Sequence, residues 1–76
     1  MNGDQLISSV MAGKAEMDDM PPKIKMICSF KAFIMACEIL EFETKERRKA
    51  ELEKIPERLR PHVEQWVWEI WRSRHA

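Results

Sequence analysis

From Lys23 to about Phe42 the chain is apolar at nearly every angle around a helix. Met26, Ile27, Phe30, Phe33, Ile34, Cys37 and Leu40 follow one another at steps of one and three. Those steps keep to the 3.6-residue period of an amphipathic helix. A second apolar set, Cys28, Met35, Ile39 and Phe42 with Ala32 and Ala36, leaves only a narrow polar remainder. The C-terminal part repeats the pattern more cleanly. Val63, Trp66, Val67, Ile70 and Trp71 stand at i, i+3, i+4, i+7 and i+8, which predicts a helix from Pro61 to about Ser73. Between these two runs, residues 44–55 are mostly charged, with Ala50, Leu52 and Ile55 as the apolar contribution.

The punctuation fits helices. Asp4 is placed to cap a short helix over residues 4–12, with Leu6, Ile7, Val10 and Met11 on one side and Gly13 as its stop. Pro21 and Pro22 suit the entry of the long helix, and Asp18 and Asp19 lie near its positive end. Thr44 is placed to cap the third helix, and Pro56 ends it. Glu41 with Lys45, and Glu43 with Arg47, form acid-before-base pairs four apart if the helix is continuous there. Hairpin turn dipeptides and period-two alternation are absent from the sequence. The expected fold is all-α, a compact bundle of three to four helices ending in a helical hairpin. It forms one domain over 1–76, with a short helix and solvated linker over 1–20 and a helical core over 21–76. The long helix and the tryptophan helix should be its main pair.

Size sharpens this picture. Seventy-six residues bury only ~60% of their unfolded surface, too little chain to wrap the long helix on all sides. A homodimer is therefore expected, with Met35, Ile39 and Phe42 for self-association. Met11, Met17, Met20, Met26 and Met35 read as helix-forming core filler. Cys28 and Cys37, about 13 Å apart on one helix, cannot bridge internally; they should be free thiols or, less favourably, bridge between two molecules.

Charge narrows the function classes. Thirteen basic residues balance 13 acidic ones, unlike the coat of a non-specific nucleic-acid binder. The six-residue apolar run Ala32–Cys37 is far short of the roughly 20 needed to cross a bilayer, and no signal peptide is legible. The expected location is the cytoplasm. Phosphate loops, nucleophile elbows and helix metal motifs are missing, and Cys28, Cys37, His62 and His75 lack the close pairing of metal ligands. Neither an enzyme, a cofactor nor a metal is expected.

Two features point to recognition. Trp68 lies off the C-terminal stripe, with Arg72 four residues on. It is either an anchor for a partner or packed against the N-terminal helix; Trp66 and Trp71 read as core. The cluster Lys45-Glu46-Arg47-Arg48-Lys49 reads as a salt-bridged, solvated face or, less favourably, as part of a helix-turn-helix that binds nucleic acid. Residues 43–76 carry nine basic and seven acidic residues, a surplus of only two for that second reading. Trp68, Arg72, Arg47 and Arg48 are thus the candidate partner-binding residues.

Cys37-Glu38, the stretch Glu46-Arg47-Arg48-Lys49-Ala50-Glu51-Leu52, and Arg60, Val63 and Trp71 resemble a group of short α-helical phage and prophage proteins. The resemblance covers roughly the C-terminal 40 residues, a helical hairpin. It implies a mobile-element accessory protein that binds a host protein to inhibit or redirect it, and it supplies no site residues.

Overall fold

The computed structural model describes residues 2–75. Four helices follow one another: α1 (Gly3–Met11), α2 (Pro22–Leu40), α3 (Lys45–Glu53) and α4 (Arg60–Arg74), with a 3-10 turn at Met17–Asp19 between the first two. Each boundary has a chemical cause. Asn2, rather than Asp4, caps α1: its side chain accepts from the Gln5 amide at 2.9 Å, and the Gln5 side chain returns to the Asn2 amide. This reciprocal box satisfies two amides that have no partner inside the helix. At the other end Gly13 takes φ +77°. Its amide donates to Val10 and the Lys14 amide donates to Ser9 at 2.8 Å, the paired closure that a left-handed residue permits. Thr44 Oγ1 accepts from the Arg47 amide at 3.1 Å, as its position predicts.

The helix is interrupted at Glu41–Thr44, so the pairs expected across that stretch do not form. Glu51 instead takes both Arg47 (3.2 Å) and Lys54 (3.0 Å). Hydrogen bonding from Lys54, then from Arg47, holds its carboxyl below the usual range.

The core is small and made largely of small residues. Cys28, Ala32, Ala36 and Ile39 are the buried positions of α2, at steps of four, four and three. Val10, Met17, Ile55, Leu59 and Val63 close over them. The residues between α1 and α2 are therefore not a solvated linker: Met17 turns inward and pins the segment to the core. Arg58 holds the same segment from outside, donating to the Lys14 carbonyl at 2.9 Å and pairing with Glu16 at 3.6 Å.

Phe33 meets Trp66 edge-on at 5.1 Å, Ser29 shares a cleft with His62, and Leu40 shares one with Trp71. These contacts ascend together, so α4 runs parallel to α2 and α3 is the return stroke. The Cα trace measures 40 × 24 × 15 Å. The shortest dimension is what two packed helix layers occupy, about 8–10 Å between axes plus a radius of ~2.3 Å on each side. In two layers every helix keeps a solvent face, α2 included.

The face of α2 left to solvent is not the expected one. Met26 (66% exposed), Phe30 (61%) and Ile34 (41%), members of the stripe expected inside, stand outside. The buried side is built from the second set. Ile39, expected at a dimer contact, is only 5% exposed and belongs to the protomer's own core. Met35 packs beside it, and Phe42 is half-buried with the Arg47 guanidinium 4.6 Å above its ring. The physical reason is size. Alanine and cysteine let two helix backbones approach on the crowded side, where phenylalanine would hold them apart.

Both cysteines are free, Cys28 fully buried and Cys37 half-buried. Burial pushes the Cys28 thiol up from its ordinary value, which further slows formation of the reactive thiolate. In native protein iodoacetamide should label Cys37 alone, with Cys28 reacting only after denaturant is added. Mass spectrometry of the two cysteine peptides reads this directly, and equal labelling of both would contradict the packing of α2.

Candidate functional site

Two apolar surfaces remain open. One is the outer face of α2 just described. The other lies where α4 outruns α2. Trp68 is 66% exposed and Trp71 is 43% exposed. With Leu40, Val67, Lys45 and Arg48 they line a shallow cleft of about 400 Å³. Trp66 follows its stripe and is half-buried against Phe33. Trp71, expected in the core, does not follow it inward, because α2 stops at Leu40 and nothing remains to cover the last turns of α4. Its ring lies against the His75 imidazole instead, with centroids 3.9 Å apart and the planes tilted by 40°.

The candidate cations divide into two kinds. Arg48 Nη1 donates to the Phe42 carbonyl at 2.7 Å and its guanidinium lies 5.9 Å from the Trp71 ring. This arginine supplies a donor just beyond the end of α2, where helix carbonyls lack partners, and joins α2, α3 and α4. Arg47 is held by Glu51 and Phe42. Arg72 is exposed and pairs with Glu69 at 3.1 Å. Lys45 and Lys49 are exposed, and neither enters an ion pair among the described residues.

Trp68, Arg48 and Lys45 therefore come together at one cleft, with Arg72 one turn beyond Trp68 on α4. Arg47 lies apart, over Phe42. Met35, Ile39 and Phe42 line a different, wider cleft of about 630 Å³ beside Glu51, Lys54 and Ile55. Trp71 and Leu40 were not candidates from the sequence. The signal available for them was the unequal length of the two apolar runs, which leaves the end of one helix uncovered.

Among the described residues no group of three or more histidine, cysteine, aspartate or glutamate side chains is arranged to hold a metal. No helix among the described residues is long and apolar enough to cross a membrane. The chain matches no family model, no curated protein and no solved structure.

Proposed function

We infer that the protein is a non-enzymatic interaction module that captures another protein at the Trp68–Trp71 cleft. The observation that carries this reading is the exposure of two tryptophans on one helix beside Leu40 and Val67. Tryptophan at the centre of an apolar cleft is the residue type that most often dominates binding energy. Lys45 on one wall, without an ion pair among the described residues, and Arg72 beyond the other, held only by the exposed Glu69, favour an acidic amphipathic helix as the bound segment. Its apolar face would cover the indoles and its carboxylates would meet the cations. The resemblance to phage and prophage proteins supplies a setting, a regulator that occupies a host protein.

Nucleic-acid recognition through residues 45–49 has less support. Two of the four cations in that cluster, Arg47 and Arg48, are engaged within the protomer, and Glu46 stands among them. A phosphate-binding face needs cations free to release counterions.

Peptide selection against the immobilised protein tests the reading. Selected sequences should be acidic and helical with at least two large apolar residues. Trp68→Ala should weaken them by about 30-fold, a loss of ~2 kcal/mol typical of a hot spot. Helicity and melting temperature should stay unchanged, because Trp68 contributes nothing to the core. Selection of basic peptides, or affinities indifferent to Trp68→Ala, would dispose of the cleft as the docking site.

A further inference from the structure

The outer face of α2 carries a pattern that the tryptophan cleft does not use. Lys23, Ile27, Phe30, Ile34, Cys37 and Glu41 follow at steps of 4, 3, 4, 3 and 4, the repeat that keeps one seam facing a partner helix. All six are exposed or half-buried. Met26 widens the apolar strip on one side. The seam is also symmetric about residue 32: Lys23 mirrors Glu41, Ile27 mirrors Cys37, and Phe30 mirrors Ile34.

We propose that this face is a self-recognition surface on which α2 of a second copy lies antiparallel, two-fold related at residue 32. Phe30 then packs against Ile34 of the second copy, Ile27 against its Cys37, and Lys23 against its Glu41. Each contact occurs twice, as an isologous interface requires.

Charge fixes the orientation. Among the described residues neither Lys23 nor Glu41 forms an ion pair within its own chain. Each also sits at the end of α2 where the helix dipole disfavours it, and the Asp18 carboxylate at the positive end is taken by Lys25 at 3.4 Å and not by Lys23. An antiparallel neighbour brings a carboxylate to the positive end and an ammonium to the negative end. A parallel neighbour would stack Lys23 on Lys23 and Glu41 on Glu41. Lys31 flanks the axis in either arrangement and does not discriminate.

Size sets the strength. Nineteen helical residues run about 28 Å, over a width of roughly 10 Å. That footprint is about 280 Å² on each partner, below the roughly 1,200–2,000 Å² that stable pairs bury, so a weak, reversible dimer is expected. The corresponding contact differs from that expected at Met35, Ile39 and Phe42, which face the interior or a cleft within the protomer.

Sedimentation equilibrium between about 5 and 200 µM should show reversible doubling of the 9.0 kDa mass. Lys23→Glu should weaken association by at least tenfold, and adding Glu41→Lys to it should restore the pairing. Under mild oxidation Ile27→Cys should yield a covalent dimer through Cys37 of the second copy, while the unaltered protein, whose Cys37 residues lie about 15 Å apart along the axis, should not. Trp68→Ala should leave all of this unchanged, which separates the seam from the tryptophan cleft. A monomer throughout the concentration range would overturn the proposal. So would indifference to Lys23→Glu, or a disulfide-linked dimer of the unaltered chain through Cys37.

Discussion

Replacing Gly13 by alanine should cost this protein about 3 kcal/mol and lower its melting temperature by roughly 12–24 °C, at about 4–8 °C per kcal/mol for a domain of this size. Two penalties add. A left-handed φ of +77° costs an L-residue about 1–2 kcal/mol by itself. The new Cβ would also stand 2.4 Å from Cβ of Pro56. A flexible side chain would rotate away, but a proline ring cannot. Pro56 sits between Ile55, a core residue, and the turn that carries Leu59, another. Relief therefore means separating the end of α1 from the α3–α4 connection. Thermal denaturation followed by circular dichroism measures this. Gly3→Ala is the matched control. Its Cβ meets only the terminal methyl of Ile24 at 3.3 Å, and the change should stay within about 0.5 kcal/mol.

Gly13 was legible as a helix stop from the sequence, but its contact with Pro56 was not, since 43 residues of chain separate the two. The same division runs through the whole fold. Local chemistry could be read: the proline pair entering α2, Thr44 beneath α3, Pro56 after it, and the period of α4. The capping box of α1 was equally readable in Asn2 followed by Gln5 three residues on, and Asp4 drew attention from it. What could not be read was which side of an all-round apolar helix faces inward. Hydrophobic periodicity weights large side chains, and by that measure Met26, Phe30 and Ile34 outrank Ala32 and Ala36. Close helix packing applies the opposite weighting, because interaxial distance is set by whatever stands between the backbones.

The site divides in the same way. Trp68 could be placed off the apolar stripe by counting along a helix. The exposure of Trp71 depends on where a different helix ends, which no local window contains. Arg47 is a surface cation paired with Glu51, as charge patterning allows, but Arg48 looked like surface charge because its partners are the Phe42 carbonyl and the Trp71 ring, groups that charge patterning does not count. Carbonyls around the end of a helix need donors, and an arginine a turn or two beyond Leu40 is the sequence form that such a donor takes here, in Arg48.

The inverted face of α2 leads to the second large effect, a pair of substitutions with opposite outcomes. Ala36→Glu should abolish the fold at neutral pH. Ala36 has no exposed surface, so a carboxylate there is removed from water without a partner, at a cost of several kcal/mol. The added volume contributes about 1–3 kcal/mol more. Against this, 76 residues at roughly 0.05–0.15 kcal/mol each hold the native state by only about 4–11 kcal/mol. Phe30→Glu introduces the same side chain one and two-thirds turns away, on the open face. It should leave far-UV circular dichroism and melting temperature nearly unaltered while weakening self-association. Acid separates the two further. In the folded Ala36→Glu protein, burial would raise the carboxyl's pKa above its unfolded value of about 4.3. A raised group penalises folding most at high pH, and the penalty shrinks as pH falls through the folded pKa toward the unfolded one. Helical signal in Ala36→Glu should therefore recover in part as pH drops from 7 towards 4, whereas Phe30→Glu should show no such gain. The reverse pattern, with Phe30→Glu unfolded and Ala36→Glu native, would require α2 to be rolled by half a turn, with its large residues against α4 and its alanines in water.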